Sequence, residues 1–356
     1  MRGNKHNLLV NTLVFLAAII LFLIVSEAIF RIVTYQPKGS WFREHTLEEY
    51  RERWTGYFNN SYEYNHLMNY SLNKPKNIFR IAAIGDSFTQ GGSTENGIMV
   101  AKQSFPLQLE ILLNQNFDDY IYEVMNFGFS SSTTLEERFI LEEYVLRYDP
   151  DLIILGVPTN DRLFGIYNLD PFKYCGIKAS NYEKRLYFLN EHFKLLSYLF
   201  TKLPEGYNDY YLDSINNNSI GTKCFEKSLK DINIILNNEQ IPWFVVFFND
   251  IIFSAQSSDS MSHFINFETI DKFNASFRKS GVGHVLWSYP YFYNVSLKAV
   301  LADDLYHYNS KGNELIAKVT YNYLLENKLI PSYELQDCSP KLLQMELGVN
   351  ESIISP

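Results

Sequence analysis

The chain has 356 residues, of which 46% are hydrophobic and 20% are charged, so it is long and apolar enough to bury a sizeable core. Its net charge of -9 and isoelectric point near 5.4 exclude the basic surface that general nucleic-acid binding needs. The three cysteines, Cys175, Cys224 and Cys338, are far apart and form no CxxC pair, which argues against a zinc site and a disulfide framework. At most one disulfide can form.

An apolar stretch near the amino terminus, residues 8–30, is long enough for a helix to cross a bilayer. We predict an uncleaved membrane anchor over residues 1–32. A signal peptide cleaved near Ser26-Glu27-Ala28 is the alternative. Arg2 and Lys5 precede the stretch and favour a cytoplasmic amino terminus. Three basic residues follow the stretch and weaken this preference: Arg31, Lys38 and Arg43. The rest of the chain is expected outside the cytoplasm.

Beyond the anchor, the sequence predicts a stalk and then a layered α/β domain. Residues 33–77 have no sustained period and are interpreted as the stalk. Over residues 78–330, short apolar runs alternate with helical patterns, which indicates parallel βαβ units. The predicted strands are 78–84, 120–125, 152–155, 243–248 and 285–287, and the predicted helices are 105–114, 135–147, 225–236, 264–277 and 311–326. Residues 163–222 break this alternation and are predicted to be an insertion, and residues 331–356 a tail.

A Gly-Asp-Ser turn follows the first predicted strand. Gly85, Asp86 and Ser87 end the apolar run, and a short segment that leads into a helix comes next. A serine at the carboxyl end of a buried strand lies at the sheet edge where open α/β folds bind ligands. Ser87 is therefore a candidate nucleophile, although a plain strand-to-helix turn has the same pattern.

Polar fragments also follow the other predicted strands. Asn126-Phe127-Gly128 closes the second strand, Asn160-Asp161 follows the third, and Asp304 and His307 precede the last helix. Each fragment alone is an ordinary turn or loop. Together they provide a nucleophile, a base with a carboxylate three residues away, and donors for a developing oxyanion, which acyl transfer requires.

In this order the fragments resemble the sequence blocks of the SGNH/GDSL hydrolase superfamily, over roughly residues 79–317. The resemblance implies a three-layer, flavodoxin-like α/β sandwich with a central parallel sheet. It also implies a catalytic triad of Ser87, Asp304 and His307. The oxyanion hole would be formed by the backbone N–H of Gly128 and the side-chain amide of Asn160.

Two positions depart from the family pattern. Pro158 stands where the third block usually has glycine, and because proline fixes φ and lacks an N–H, this loop is expected to differ in shape. In the second block, residues 130–133 stand where the family often has another glycine.

The resemblance implies ester hydrolysis through an acyl-serine intermediate. We expect a serine esterase or deacetylase that acts on acyl groups, such as acetyl, of cell-envelope glycans or lipids. Two alternatives stay open: an O-acyltransferase that modifies an envelope polysaccharide, and a non-catalytic envelope protein with the same fold. A haloacid-dehalogenase phosphatase is disfavoured because Asp86 has no second Asp two residues on. The sequence has no motif for a metal or another cofactor, and the expected partners are the acylated substrate and the membrane.

Overall fold

The computed structural model describes residues 2–33, 46–59, 70–96, 98–117, 120–162, 169, 171–178, 220–248, 267–292, 295–304 and 306–331. The chain divides into two units, residues 1–43 with 177–213 and residues 44–176 with 214–356. In the first unit, helix α1 (Arg2–Val33) contains the predicted anchor. Its segment Val10–Ile29 is long and apolar enough to cross a membrane, a criterion that a signal sequence also meets. Large apolar side chains of this segment, such as Phe15 and Phe22, are exposed.

The second unit contains a five-stranded sheet, and all five strands are parallel. The strands are β1 (Ile78–Gly85), β2 (Ile121–Gly128), β3 (Leu152–Val157), β4 (Trp243–Phe247) and β5 (Val285–Trp287). Their order across the sheet is β2-β1-β3-β4-β5. This is the flavodoxin-like order 2-1-3-4-5. The predicted α/β class with a central parallel sheet is confirmed, and each predicted strand is present with small shifts at its ends.

Helices connect these strands and cover the sheet. After α1, the described helices in chain order are α2 (Leu47–Asn59), α3 (Ser87–Gln90), α4 (Phe105–Asn116), α5 (Thr134–Glu143), α6 (Pro171–Tyr174), α7 (Ile220–Glu239), α8 (Phe267–Lys279), α9 (Tyr289–Phe292), α10 (Leu297–Val300) and α11 (Ser310–Glu326). The predicted helix 135–147 ends earlier than expected, because a 3₁₀ turn, Val145–Tyr148, follows α5.

The helices lie on both faces of the sheet and make a three-layer sandwich. Helices α4 and α11 contact each other over one face, and α5 and α8 both contact α7 on the other. Strand β4 shows how one strand supplies both layers. Phe244 and Val246 belong to the cluster formed with α4 and α11, whereas the Phe247 ring lies 4.8 Å from that of Phe273 in α8. This alternation is the period-two pattern of a strand buried on both faces.

Part of the predicted stalk is a packed helix. In α2, Tyr50, Trp54 and Phe58 recur every four residues and are buried on one helix face. The Arg51 guanidinium donates to both carboxylate oxygens of Glu143 in α5, at 2.6 and 2.9 Å. The interpretation of residues 33–77 as a stalk therefore does not hold for residues 47–59.

Cys175 and Cys224 form a disulfide, with 5.4 Å between their Cα atoms. The bond joins the segment after α6 to the first turns of α7, and both cysteines are buried. It is the single bridge that the sequence allows. The third cysteine, Cys338, lies outside the described residues, as do most of the predicted insertion and the tail beyond Pro331.

Candidate active site

The candidate residues lie at one edge of the sheet. Gly85 and Gly128 pair at the carboxyl ends of β1 and β2, and Ser87 follows β1 directly. Asn160 lies in a 3₁₀ turn, Thr159–Arg162, after β3. The strand order reverses between the neighbouring strands β1 and β3. Ser87 and Asn160 directly follow these two strands and therefore lie at the topological switch point, where such folds bind ligands.

Ser87 is the first residue of the single helical turn α3, and its neighbour caps that turn. The Asp86 carboxylate accepts a hydrogen bond from the Phe88 N–H at 2.9 Å. Ser87 is 7% exposed. The turn needs glycine at position 85, because a Cβ there would overlap the Thr89 side chain. The Gly-Asp-Ser sequence thus fixes the serine at the strand end.

His307 is held two residues before the cap of α11. The Asn309 side chain accepts from the Gly312 N–H at 3.0 Å and so begins that helix. The His307 carbonyl accepts from the Ala302 N–H at 2.8 Å. Asp303 donates its N–H to the Thr94 carbonyl, at 3.0 Å, which ties this loop to the segment after α3.

The structure brings the predicted serine, histidine and aspartate into one hydrogen-bonded chain. His307 Nε2 lies 2.7 Å from Ser87 Oγ, and His307 Nδ1 lies 2.6 Å from Asp304 Oδ2. The other carboxylate oxygen of Asp304 accepts from the backbone N–H groups of Tyr306 and His307, both at 3.0 Å. Partial burial raises the pKa of Asp304, but these hydrogen bonds outweigh it and hold the pKa below its usual value. Asp304 is therefore a carboxylate at neutral pH.

Aromatic rings fix the imidazole from the side. The centroid of the His307 ring lies 5.1 Å from that of Phe88 and 4.5 Å from that of Tyr306. The Phe88 and Tyr306 rings meet edge to face at 5.1 Å. The side chain next to the serine and the one next to the histidine thus pack on each other.

The Asn160 side chain contacts the residue before the serine and the residue before the histidine. Its Nδ2 donates to the Tyr306 hydroxyl at 3.3 Å, and the amide also hydrogen-bonds to the Asp86 carboxylate. Pro158 does not remove the turn that carries Asn160, because the Pro158 carbonyl accepts from the Asp161 N–H at 3.3 Å. Proline at position 158 therefore leaves the Asn160 amide at the site.

Gly128 also lies at the site, but its N–H is already engaged. It donates to Asn126 Oδ1 at 2.9 Å, so it is not free for an oxyanion. The glycine is required for another reason: a Cβ at position 128 would overlap the backbone of Gln90 at the end of α3. The geometry therefore does not support the predicted role of Gly128 as an oxyanion donor.

Three residues further along the chain, Ser131 has an unusual backbone conformation. Its φ of 66° is left-handed, which is uncommon for a residue other than glycine and is found preferentially at functional sites. Ser131 is exposed, and its N–H donates to no acceptor among the described residues. The sequence carried a signal for it, because residues 130–133 replace a stretch in which the family often has a second glycine.

Two buried carboxyl groups lie behind the serine. Asp86 and Glu137 are both fully buried, and the Asp86 carboxylate lies 3.3 Å from Ser87 Oγ. Burial raises the pKa of Asp86 to about 6. Burial, and then the charge of Asp86, raises the pKa of Glu137 well above its usual value. Ionisation of Asp86 therefore disfavours ionisation of Glu137.

No protein-family model and no curated protein matches the chain. Solved structures match at low similarity. A lipolytic protein of the G-D-S-L family from Desulfitobacterium hafniense is 15% identical, with 68% of this chain and 98% of that chain covered and a TM-score of 0.40. An acetylxylan esterase from Geobacillus stearothermophilus is 13% identical, with 72% and 97% covered and a TM-score of 0.41. A lipase from a goat rumen metagenome is 14% identical, with 68% and 96% covered and a TM-score of 0.42.

Likeness at this level decides neither a substrate nor a residue's role. The strand order of this chain and the sequence order of the residues at its carboxyl edge are independent of it. By these two features, the chain has the fold of the SGNH/GDSL hydrolases.

Proposed function

We propose that the chain is a serine esterase of the SGNH type that hydrolyses acyl esters, such as acetyl esters, on cell-envelope glycans or lipids. The observation that carries this proposal is the chain of two short hydrogen bonds from Ser87 Oγ through the His307 ring to Asp304. This arrangement is what activates a serine hydroxyl, which is a weak nucleophile at neutral pH.

In the first half of the reaction, Ser87 Oγ attacks the ester carbonyl carbon while its proton moves to His307 Nε2. Asp304 accepts from Nδ1 of the ring, which fixes the tautomer and stabilises the imidazolium that forms. The tetrahedral intermediate then collapses. His307 Nε2 gives the proton to the departing alkoxide oxygen, and the acyl group stays on Ser87.

The carbonyl oxygen becomes an anion in the intermediate and needs donors. We assign this role to the Ser131 N–H, which donates to no acceptor among the described residues, and to the Asn160 amide, which would exchange its long bond to the Tyr306 hydroxyl for one to the oxyanion. In the second half, His307 takes a proton from the water molecule that attacks the acyl-serine. It then returns the proton to Ser87 Oγ as the acid leaves.

The location outside the cytoplasm rests on two features. The Cys175–Cys224 disulfide is typical of oxidising compartments and rare in the cytosol. The segment Val10–Ile29 precedes the catalytic unit in sequence and is long enough to span a bilayer. A single-pass anchor would hold the enzyme next to envelope substrates.

Partitioning of the acyl-serine tests the proposal against the acyltransferase alternative. The detergent-solubilised full chain is given a small acetyl ester with and without a polysaccharide acceptor, and free acetate and acetylated polysaccharide are measured. We expect acetate release that does not depend on the acceptor and is lost in Ser87→Ala. Slow acetate release together with acceptor-stimulated turnover and acetylation of the polysaccharide would show a transferase instead.

A further inference from the structure

Helix α2, which precedes strand β1 in sequence, contacts the loop that carries Ser131. The Tyr57 ring meets the Phe129 ring edge to face at 5.3 Å, and the Arg53 guanidinium lies 5.2 Å from the centroid of the same ring. One residue further along α2, the Phe58 ring lies 5.5 Å from that of Phe127 at the end of β2. The helix therefore covers the segment between β2 and Ser131.

Gln90 connects this helix to the loop by hydrogen bonds at both ends of its amide. Nε2 donates to the Tyr57 hydroxyl at 2.7 Å, and Oε1 accepts from the Ser130 N–H at 3.1 Å. The backbone of Gln90 is also fixed, because its carbonyl and that of Thr89 accept from Asn126 Nδ2, at 3.4 and 3.0 Å. Gln90 belongs to α3, the same turn that begins with Ser87.

These bonds restrain the chain on one side of Ser131, and Ser132 restrains it on the other. Ser132 donates its N–H to the Phe129 carbonyl at 3.1 Å and its hydroxyl to the same carbonyl at 2.7 Å. Between these restraints, Ser131 keeps a left-handed φ of 66°. A non-glycine residue persists in that conformation where its surroundings enforce it.

We propose that Tyr57 and Gln90 are positioning residues that orient the Ser131 N–H toward the oxyanion, so that helix α2 is part of the catalytic apparatus. This inference rests on the proposed function. It assigns to helix α2 a role in the chemistry, in addition to its packing within the second unit.

Tyr57→Phe tests the proposal, because it removes one hydroxyl and keeps the ring contact with Phe129. Loss of a whole oxyanion donor costs about 10²–10³ in kcat. A donor that is present but less well oriented should cost less. We expect Tyr57→Phe to lower kcat on a small acetyl ester about tenfold, with KM within about twofold of wild type. The rate of inactivation by a phosphonate inhibitor should fall by the same factor, because its tetrahedral adduct needs the same donors.

Tyr144→Phe is the matched control. The Tyr144 hydroxyl also bonds to α2, with Thr55 at 2.7 Å and the Arg51 carbonyl at 3.2 Å, but it does not touch Gln90. We expect it to leave kcat within about twofold of wild type, even if the melting temperature falls. If both Phe variants lower kcat equally, α2 acts only through stability and the proposal is wrong.

Gln90→Met provides a second test that does not depend on the folding of the Tyr57 variant. We expect Gln90→Met to lower kcat at least as much as Tyr57→Phe, and the double variant to lose no more than Gln90→Met alone, because the chain of bonds is already broken. Folded Tyr57→Phe or Gln90→Met protein with wild-type kcat, or losses that multiply in the double variant, would overturn the proposal. Undiminished turnover in Ser87→Ala would instead show that the proposed function itself is wrong.

Discussion

Asp304 and His307 share one short turn, and this sets how much the carboxylate contributes. The backbone already restrains His307 through the Ala302 N–H and through the His307 N–H bound to Asp304. Replacing the triad carboxylate by its amide costs about 10⁴ in kcat in a serine protease. We expect Asp304→Asn to lose less than that, and less than Ser87→Ala or His307→Ala. Steady-state kcat on a small acetyl ester measures this, with circular dichroism as the control for folding. Equal losses in all three variants would contradict it.

The buried Asp86 predicts how stability depends on pH. Its pKa of about 6 in the folded protein lies above the ordinary value of 3.8, so the folded state binds more protons than the unfolded state between these values. The free energy of unfolding that this group contributes therefore falls as pH rises from about 4 to about 6. Asparagine stays neutral at every pH. We therefore expect the free energy of unfolding of Asp86→Asn, relative to that of wild type, to increase by about 2 kcal/mol across this pH range.

Urea unfolding of both proteins at pH 4 and pH 7.5, followed by tryptophan fluorescence, measures this gain. Asp303→Asn is the control, because Asp303 is an exposed carboxylate in the same region. A difference between Asp86→Asn and wild type that is constant with pH, or that shrinks as pH rises, would show that Asp86 is not held protonated by burial.

The disulfide between the segment after α6 and α7 is expected to stabilise the folded chain. It closes a loop with a sequence separation of 49, and loss of such a bond costs about 2–4 kcal/mol. Reductant should therefore lower the melting temperature of wild type and leave that of Cys175→Ser/Cys224→Ser unchanged. The oxidised wild type should expose a single titratable thiol on unfolding, that of Cys338. Titration of three thiols without reductant would exclude the bond.

The elements that the sequence predicted well are those with a single dominant pattern. The run at β1 is continuously apolar because the strand is buried on both faces, and the turn residues Gly85 and Asp86 end it as expected. Helix α2 was missed because its buried face is made of Tyr50, Trp54 and Phe58 among charged residues, and tyrosine gives a weak apolar signal. The period of four was present in the sequence and identifies the helix once aromatic residues are counted as apolar.

The site was predictable to a similar degree. The order of the fragments was enough to name Ser87, Asp304 and His307, because parallel strands bring their carboxyl ends to one edge. The donor was not predictable in this way. Gly128 and Ser131 are three residues apart, and only the direction of each N–H separates a donor used within the loop from one that is free.

We predict a single-pass topology for the chain, with the catalytic unit outside the cytoplasm. A reporter that is active only after export, fused after Pro331, should give signal, and one that is active only in the cytoplasm should not. The reverse result would show that the basic residues following the apolar stretch determine the orientation. A mature protein that begins near Ile29 would identify the segment as a cleaved signal peptide and not an anchor.

Covalent labelling tests whether Ser87 is a nucleophile activated by His307. The full chain in detergent is incubated with a fluorophosphonate probe, and the modified residue is mapped by peptide mass spectrometry. We predict a label on Ser87, none on Ser87→Ala, and slower labelling of His307→Ala, because the hydroxyl then has no base 2.7 Å away. A label on a different serine, or labelling that does not change in His307→Ala, would contradict the account.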